Sequence, residues 1–244
     1  MAERAGTRDF VEAAETLGRA LRGIGIGLEE LTCFRVTRRH ENWKLTLTDG
    51  THRLLRIALA GPGSLDREEA ALRRMATCDL PVPRSYKRID EVVGQPAALS
   101  EWIDGSDGIG VMDAHPEALP ELCTMMGECR RTLEEQTVGG FGSEAVGGRF
   151  VAIRPNWGSE YLTMLHDWIE AARRGGLSLG PIESMLLQRV HKIAPQLARV
   201  RSYSLVHGDL RPANFVLEVG PPAAKGEPPE VGMLGLVDWE FARM

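Results

Sequence analysis

A chain of 244 residues is long enough to form one large domain or two lobes around a buried core. Hydrophobic residues make up 43% of it and charged residues 26%, which is ordinary for a soluble globular protein. The net charge of −5 argues against non-specific binding to nucleic acid or to an acidic membrane surface, and it slightly favours a cationic small molecule as partner.

The cysteines and the N-terminal stretch bear on the compartment. Cysteine occurs at four positions that form no C-x-x-C pair and no metal-ligand spacing: Cys33, Cys78, Cys123 and Cys129. This pattern favours reduced thiols in a cytosolic protein. The N-terminal stretch MAERAGTRDF is charged and lacks the apolar segment of a signal peptide, and no apolar run approaches the length of a membrane-spanning helix. We therefore expect a cytoplasmic protein without membrane or nucleic-acid partners.

The first part of the chain is predicted to be rich in strands. DFVEAAETLGRALRGIGIG has the apolar spacing of an amphipathic helix, with one face formed by Phe10, Ala14, Leu17 and Leu21. WKLTLT then alternates between apolar and polar residues, Asp49–Gly50 marks a hairpin turn, and HRLLRIAL follows as the return strand. LDREEAALRRMATC predicts a helix, and VVGQPAALSEWIDG predicts two short strands joined by a turn.

The second part is predicted to be mainly helical. EALPELCTMMGECRRTLEEQ and SEYLTMLHDWIEAARRGG predict two helices, the latter with Ser159 as its N-cap. PIESMLLQRVHKIAPQLARV predicts a third helix. Pro181 is well suited to the first turn of this helix, and Pro195 should kink or split it. NFVLEV and MLGLV predict strands on either side of a Pro- and Gly-rich loop. Strands followed by helices favour an α+β fold of two lobes, residues 1–104 and 105–244.

Two polar motifs stand near the end of the chain, LVHGDLRPANFVLEVG and LGLVDWEFA. Asn214 and Asp238 each stand where a short strand meets a loop, and a hairpin between the two strands would bring them together. Their carboxamide and carboxylate oxygens are hard ligands of the kind that magnesium prefers. Asp209 would lie nearby as a free carboxylate that can accept a proton from a hydroxyl. The alternative is local: Asp209 caps a turn and Asn214 closes an Asx-turn.

The segments HGDLRPANFV and LVDWEFA strongly resemble the aminoglycoside phosphotransferase family, the small-molecule branch of the protein-kinase-like fold. Other segments between about residues 28 and 242 resemble that family in the same order: RLLRIAL, REEAALRRM, LPVPRSY and LSEWIDG. The resemblance implies a two-lobe α+β fold, with an antiparallel sheet plus helix in the N-lobe and a mainly helical C-lobe. It also raises the expectation of a C-lobe truncated at its C-terminus, because family chains usually continue well past the D-W-E segment.

The resemblance implies a role for each residue of the two motifs. Asp209 would be the catalytic base or would orient the acceptor hydroxyl, while Asn214 and Asp238 would bind Mg²⁺. This division suits phosphoryl transfer, in which the protein contributes mainly positioning and charge neutralisation. We interpret His207 as a packing residue and Glu240 as a carboxylate near the acceptor.

For the nucleotide, ATP or GTP, the resemblance implies an arginine–glutamate pair. Arg56 would reach the α- and β-phosphates, and Glu68 would set its position. The residues alone leave two alternatives open: a solvated edge arginine at position 56, and a capping box in which Asp66 caps the helix and Glu69 reaches back. The resemblance assigns four further residues to nucleotide binding, the loop residue Asn42 and the hinge residues Ser100, Glu101 and Trp102.

Two further features depart from the family pattern. The stretch that should cover the phosphates reads RRHEN and contains no glycine, and arginine replaces the more usual lysine at position 56. The expected function is transfer of a γ-phosphate to a hydroxyl of a small molecule: an aminoglycoside, amino alcohol, sugar or related metabolite. Two alternatives remain: a catalytically impaired, nucleotide-binding module of pseudokinase type, and a metal-dependent phosphoesterase in which the HGD motif, residues 207–209, and Asn214 supply metal ligands.

Overall fold

The computed structural model describes residues 10–138, 140–142, 144–152, 156–200, 202–222 and 229–244. Helix α1 (Phe10–Gly23) precedes a five-stranded antiparallel sheet with the spatial order β1-β2-β3-β5-β4. Its strands are β1 (Leu28–Val36), β2 (His40–Leu47), β3 (His52–Ala58), β4 (Tyr86–Val92) and β5 (Gln95–Glu101). Helix α2 (Gly63–Met75) connects β3 to β4. The predicted turn at Asp49–Gly50 joins β2 to β3, with Gly50 at φ 78°.

The inner face of this sheet packs against α1. Alternate residues of β2 and β3, among them Trp43 and Leu55, are buried in one cluster with Leu17 and Leu21 of the helix. The predicted apolar face of α1 is only partly buried, because Phe10 stands at the first turn and is 46% exposed. The alternating pattern of the strands therefore fixes which face of the sheet meets the helix.

The rest of the chain contains four helices among the described residues: α3 (Gly108–Ala114), α4 (Leu119–Glu135), α5 (Trp157–Arg174) and α6 (Pro181–Leu197). Its strands are β6 (Ser106–Asp107), β7 (Glu144–Val146), β8 (Arg149–Val151), β9 (Phe215–Pro222) and β10 (Pro229–Leu236). Strands β10, β9 and β6 form a three-stranded sheet, and β7 pairs with β8. The predicted α+β fold is confirmed, with an antiparallel N-terminal sheet and a helical region after it.

A second core cluster ties α2 to the helical region. Leu72 and Met75 of α2 pack with residues of α4, β9 and the segment after β10, including Leu122, Phe215 and Trp239. Because α2 shares this core, it is held against the C-terminal part of the chain as well as against the sheet.

The predicted N-cap of α5 is wrong, and α6 is not split at Pro195. The N-cap of α5 is Asn156, whose Oδ1 accepts a hydrogen bond from the Ser159 amide at 3.0 Å. Pro195 does not split α6, because it lies in the last turn and the helix continues to Leu197. Of the predicted loop between β9 and β10, residues 223–228 lie outside the described residues. Within the described ranges, no helix has the length and apolar character needed to cross a bilayer.

Candidate active site

The β9–β10 hairpin brings the two polar motifs together, as the sequence predicts. Phe215 pairs with Leu236, so Asn214 and Asp238 flank the same end of the hairpin. The Val237 amide donates a hydrogen bond to the Asn214 carbonyl at 2.9 Å and continues the pairing by one step. Asn214, Asp238 and Asp209 all line one cavity of about 590 Å³.

This cavity collects most of the residues that the sequence predicts for the site. Its wall includes seven of the nine: Asn42, Arg56, Glu101, Trp102, Asp209, Asn214 and Asp238. Glu68 lies behind Arg56 and contacts its guanidinium. Ser100 does not line the cavity, because it lies within β5 between β3 and β4 and is only 7% exposed. The cavity edge at the hinge is therefore formed by the residues that follow Ser100.

The carboxamide of Asn214 holds Asp209 in place. Asn214 Nδ2 donates to the Asp209 carbonyl at 2.8 Å and to Asp209 Oδ2 at 3.0 Å. Because both partners can only accept, the amide nitrogen must face Asp209 and Oδ1 must point away from it. These bonds reach five residues back and hold the carboxamide against Asp209. Asp209 Oδ2 also forms an ion pair with Arg211, whose Nε lies 2.9 Å away.

His207 supports the loop from behind. Its side chain is 1% exposed, its Nε2 donates to the Val237 carbonyl at 3.0 Å, and its Nδ1 accepts from the Asp209 amide at 3.3 Å. Burial lowers the pKa of His207 below its ordinary value, and the hydrogen bond to Val237 offsets only part of that shift. A neutral imidazole with both nitrogens bonded packs and orients, in agreement with the interpretation of His207 as a packing residue.

Gly208 is required by both its backbone and its surroundings. It lies at φ 87°, in the region that favours glycine, and a Cβ at this position would overlap the Phe241 carbonyl. The loop carrying Asp209 therefore runs directly against the segment that follows Asp238.

Arg56 is the centre of a buried ion cluster. Its Nη1 lies 3.3 Å from Glu68 Oε1 and 2.9 Å from Asp238 Oδ1, and its Nε donates to Asn42 Oδ1 at 3.1 Å. Burial alone would lower the pKa of Arg56, but the carboxylates of Glu68 and Asp238 outweigh burial and raise it above its ordinary value. Burial raises the pKa of Glu68, which Arg56 partly offsets. The guanidinium is thus a fixed positive charge in the cavity wall.

Two alternatives left open by the sequence are resolved here. Arg56 is 6% exposed, so it is not a solvated edge arginine. The carboxylate beside it belongs to Glu68, whereas Glu69 pairs with the exposed Arg73 at 2.6 Å on the outer side of α2.

The oxygen ligands at the cavity wall fit a magnesium ion that also binds phosphate. Asn214 Oδ1 and the Asp238 carboxylate supply hard oxygens, and Asp238 adopts the left-handed conformation at φ 67°, which a non-glycine residue rarely does. Among the described residues, no group of three or more His, Cys, Asp or Glu could hold a metal by itself. An ion here would therefore take its remaining ligands from phosphate oxygens and water.

The glycine-free stretch differs from the predicted covering loop. Its turn is short, since β2 already begins at His40 and Asn42 lies inside that strand. Within the turn, Thr37 Oγ1 accepts hydrogen bonds from the amides of Arg39 and His40 at 3.1 and 3.0 Å. Asn42 sits opposite Arg56 in the β2–β3 pairing, which explains their contact.

Glu240 contacts this turn, which the sequence did not predict. Its Oε2 lies 2.8 Å from His40 Nδ1, and His40 Nε2 is 2.7 Å from Ser64 Oγ. Burial would raise the pKa of Glu240, but its contact with His40 outweighs burial and lowers it. No local signal marks this contact, because its two partners come from opposite ends of the chain.

The hinge presents an aromatic surface to the cavity. The Trp102 ring meets Phe34 edge to face at a centroid distance of 5.5 Å, and Lys44 Nζ lies 4.6 Å from its centroid. Trp102 Nε1 donates to Asp104 Oδ1 at 2.8 Å, while Glu101 Oε2 accepts from the Arg84 amide at 2.6 Å. The hinge side chains are thus held by Lys44, Arg84 and Asp104, which do not line the cavity, and by Phe34, which does.

Comparisons with known proteins bear on this site. The family model described as the phosphotransferase enzyme family (APH) matches residues 31–244. Among solved structures, aminoglycoside phosphotransferase APH(4)-Ia aligns with a TM-score of 0.67 at 16% identity, over 94% of this chain and 72% of its own. No curated protein matches the chain.

Two further solved structures have bound ligands. The GDP and kanamycin complex of APH(2")-IIIa aligns with a TM-score of 0.57 at 15% identity, over 95% of this chain and 73% of its own. Amicoumacin kinase hAmiN, in complex with AMP-PNP, Ca²⁺ and Ami, aligns with a TM-score of 0.53 at 16% identity. The alignment covers 96% of this chain and 67% of the kinase. At these identities the likeness concerns the fold.

Proposed function

The chain belongs to the phosphotransferase enzyme family and thus phosphorylates an alcohol group, and we propose that its donor is a magnesium-bound nucleotide, ATP or GTP. The acceptor in this proposal is a hydroxyl of a small molecule: an aminoglycoside, an amino alcohol, a sugar or a related metabolite. The observation that carries the proposal is that one cavity collects a carboxylate, two oxygen ligands and a buried cation, namely Asp209, Asn214, Asp238 and Arg56. Positioning and charge neutralisation of this kind are what phosphoryl transfer requires of a protein.

Asp209 is placed to receive the acceptor proton. Both described partners of its carboxylate, Asn214 Nδ2 and Arg211 Nε, contact Oδ2. Oδ1 is therefore the oxygen that remains for the acceptor hydroxyl, which would be oriented for in-line attack as its proton is taken up. Arg211 and Asn214 fix the direction of the carboxylate.

Charge neutralisation is divided between the chain and the ion. Bound magnesium would offset the negative charge of the β- and γ-phosphates, held by Asn214 Oδ1 and the Asp238 carboxylate. Arg56 would contact the α- and β-phosphates, with Glu68 fixing its side chain from the buried side. Asn42 holds Arg56 Nε, and Glu68 and Asp238 contact Nη1, which leaves Nη2 for phosphate.

The base would bind at the hinge. Glu101 and Trp102 form this edge of the cavity, and apolar side chains of β3, β9 and the segment before Asp238 lie along the same wall: Leu54, Val216 and Val237. A planar base would lie between these apolar residues, with hinge backbone groups near Ser100 and Glu101 reading its edge. We place the boundary of the lobes at residues 104 and 105, since Gly105 packs so closely that a Cβ would lie 2.7 Å from Val216 Cγ1.

The alternatives have unequal support. A phosphoesterase would need His207 as a metal ligand, but both of its ring nitrogens are hydrogen-bonded within the protein. A nucleotide-binding module without turnover is favoured by one observation, the glycine-free turn whose amides already bond to Thr37. The acceptor is expected to be cationic, because the acidic residues Glu101, Asp107 and Asp209 are among those that line the cavity.

A turnover assay tests the proposal. The purified chain is incubated with magnesium, γ-labelled ATP or GTP, and a panel of aminoglycosides, amino alcohols and sugars, with Asp209→Asn as the matched control. We expect the wild-type chain to transfer labelled phosphate to one acceptor class. The turnover rate of the variant should be lower by about 100-fold or more. Nucleotide binding without product from any acceptor would favour the impaired module. Phosphate release from simple esters without nucleotide would favour the phosphoesterase.

A further inference from the structure

The turn between β1 and β2, residues 37–40, has three of its four backbone amides engaged within the turn, unlike the free amides of a glycine-rich loop. The amides of Arg39 and His40 donate to Thr37 Oγ1, and the Thr37 amide donates to the His40 carbonyl at 2.8 Å. These donors are already used, whereas a phosphate cradle needs free N–H groups directed at the ligand. What the turn contributes must therefore depend on where it is held.

His40 holds the base of the turn from two sides. Its side chain is 5% exposed, with Nδ1 2.8 Å from Glu240 Oε2 and Nε2 2.7 Å from Ser64 Oγ at the start of α2. A buried imidazole with a partner on each nitrogen has one orientation. The turn is thus tied both to the segment after β10 and to the helix that carries Glu68.

A second contact fixes the same two segments together. The Arg39 guanidinium lies over the Phe241 ring at 4.8 Å from its centroid. Glu240 is itself anchored, because its carbonyl accepts a hydrogen bond from Arg67 Nε at 2.7 Å. Successive residues after β10 therefore serve different parts of the cavity: Asp238 contacts Arg56, whereas Glu240 and Phe241 contact the turn.

We propose that His40 and Glu240 are a pair of positioning residues that hold the β1–β2 turn fixed over the phosphate end of the cavity, in place of a flexible glycine-rich cover. The proposal rests on the proposed nucleotide function, since the turn lines the same cavity through Thr37 and His40. A fixed cover keeps the phosphates in register with Asp238 and excludes water. Freeing it should weaken nucleotide binding and slow transfer, although neither residue touches the reacting atoms.

The test compares four proteins: the wild-type chain, His40→Ala, Glu240→Gln and His115→Ala. The last is a matched control, since His115 also pairs with a carboxylate, Glu117 at 3.4 Å, but lies outside the cavity. Amide hydrogen exchange is measured in the nucleotide-free proteins, and kcat and KM for nucleotide are measured with an accepted substrate. Exchange at core strand amides such as Leu45 reports whether each variant is folded.

We expect His40→Ala to accelerate exchange at the Arg39 and His40 positions of the turn while leaving Leu45 protected. Its KM for nucleotide should rise roughly tenfold with a smaller fall in kcat, as expected when one buried hydrogen-bonding network is lost. Glu240→Gln keeps the shape of the side chain and an oxygen that can accept a hydrogen bond from His40. Its KM for nucleotide should therefore stay close to that of the wild type. His115→Ala should match the wild type throughout.

Two different failures are distinguishable. A folded His40→Ala protein whose turn exchange and nucleotide KM stay within about twofold of wild type would overturn the positioning role. A wild-type chain that neither binds nor turns over nucleotide would overturn the proposed function instead. In that case the exchange measurement alone decides: unchanged turn exchange in His40→Ala overturns the anchor, and accelerated exchange supports it.

Discussion

The two sides of the cavity are held in different ways. On the floor, residues 207–214 and 237–238, the fixing contacts involve main-chain atoms: His207 bonds the Val237 carbonyl, and Asn214 bonds the Asp209 carbonyl. On the cover, the β1–β2 turn of residues 37–40, side chains do this work, through Thr37 within the turn and His40 to Glu240. On the floor, side chains bond to the backbone of the neighbouring loop, whereas the cover is tied to the segment after β10 by a contact between two side chains that are distant in the sequence.

This difference predicts how the two sides respond to substitution. Backbone-held loops keep their course when an exposed side chain changes, so changes on the floor should act on chemistry alone unless they alter the backbone itself. The cover has backbone bonds from Thr37 to His40 and from Leu59 to Arg39, but the His40 side chain ties it to Glu240, so loss of that side chain should loosen it. The following predictions separate the two cases.

The largest effect is expected on the floor at Asp209. Asp209→Asn keeps the shape and the contact with Asn214 but removes the charge that receives the acceptor proton. We expect kcat to fall by about 10²- to 10⁴-fold with nucleotide affinity nearly unchanged. Steady-state kinetics and direct nucleotide titration measure the two quantities. A variant that retains turnover within about tenfold would contradict the role given to Asp209.

The next effect is expected at Arg56, which joins cover and floor by contacting Asn42 and Asp238. Arg56→Met removes the buried cation and leaves two carboxylates, Glu68 and Asp238, without their partner. Breaking a buried pair in this way should lower the free energy of unfolding by about 3–5 kcal/mol. Urea unfolding measures it, and the double variant Arg56→Met with Glu68→Leu should recover part of the loss. A loss below about 1 kcal/mol would show that water or Asn42 compensates.

A floor substitution that does alter the backbone comes third. Gly208→Ala adds a Cβ at φ 87° where it overlaps the Phe241 carbonyl, so we expect about 1–3 kcal/mol of destabilisation and reduced kcat. Gly25 is a matched control, because it has φ 84° but no atom within 4 Å of an added Cβ. Gly25→Ala should cost only the backbone strain and leave kcat unchanged. Equal losses in the two variants would mean that the overlap has no effect.

The smallest effect concerns pH. Burial lowers the pKa of His207 in the folded chain below 6.5, so the unfolded chain binds the proton first as the pH falls. The stability that neutral His207 contributes is complete above about pH 6.5 and is lost as the pH falls below it. The free energy of unfolding then decreases by at most about 1.4 kcal/mol per pH unit. Unfolding at about pH 7.5 and about pH 5.5 measures the slope, which His207→Gln should reduce. Identical slopes in the two proteins would contradict the assignment of this shift.

Sequence motifs predicted the floor better than the cover. Asn214 and Asp238 could be placed together because the register of one hairpin relates them. Arg56 could be paired with Glu68 only through the family resemblance, because the spacing from β3 to α2 does not distinguish Glu68 from Glu69. The pairing with Glu68 followed from burial, which turns Glu69 outward to Arg73.

The cover could not be predicted because its contacts depend on tertiary packing. RRHEN was expected to be a loop, but His40 and Asn42 belong to β2 and are buried. Glu240 lines the cavity, and its contact with His40 was not predicted. Ser100 was expected to offer hinge backbone groups, and it is not among the residues that line the cavity. The contacts that were not predicted join residues far apart in the chain.

The central claim is that one cavity binds a nucleotide together with magnesium, and calorimetric titration tests it most directly. ATP and GTP are titrated into the wild-type chain and into Asp238→Ala, each with and without Mg²⁺. We predict binding by the wild type that requires the metal and disappears in the variant, because Asp238 supplies a metal ligand at the cavity wall. Nucleotide binding that is equal with and without Mg²⁺, or unchanged in a folded Asp238→Ala protein, would contradict the account.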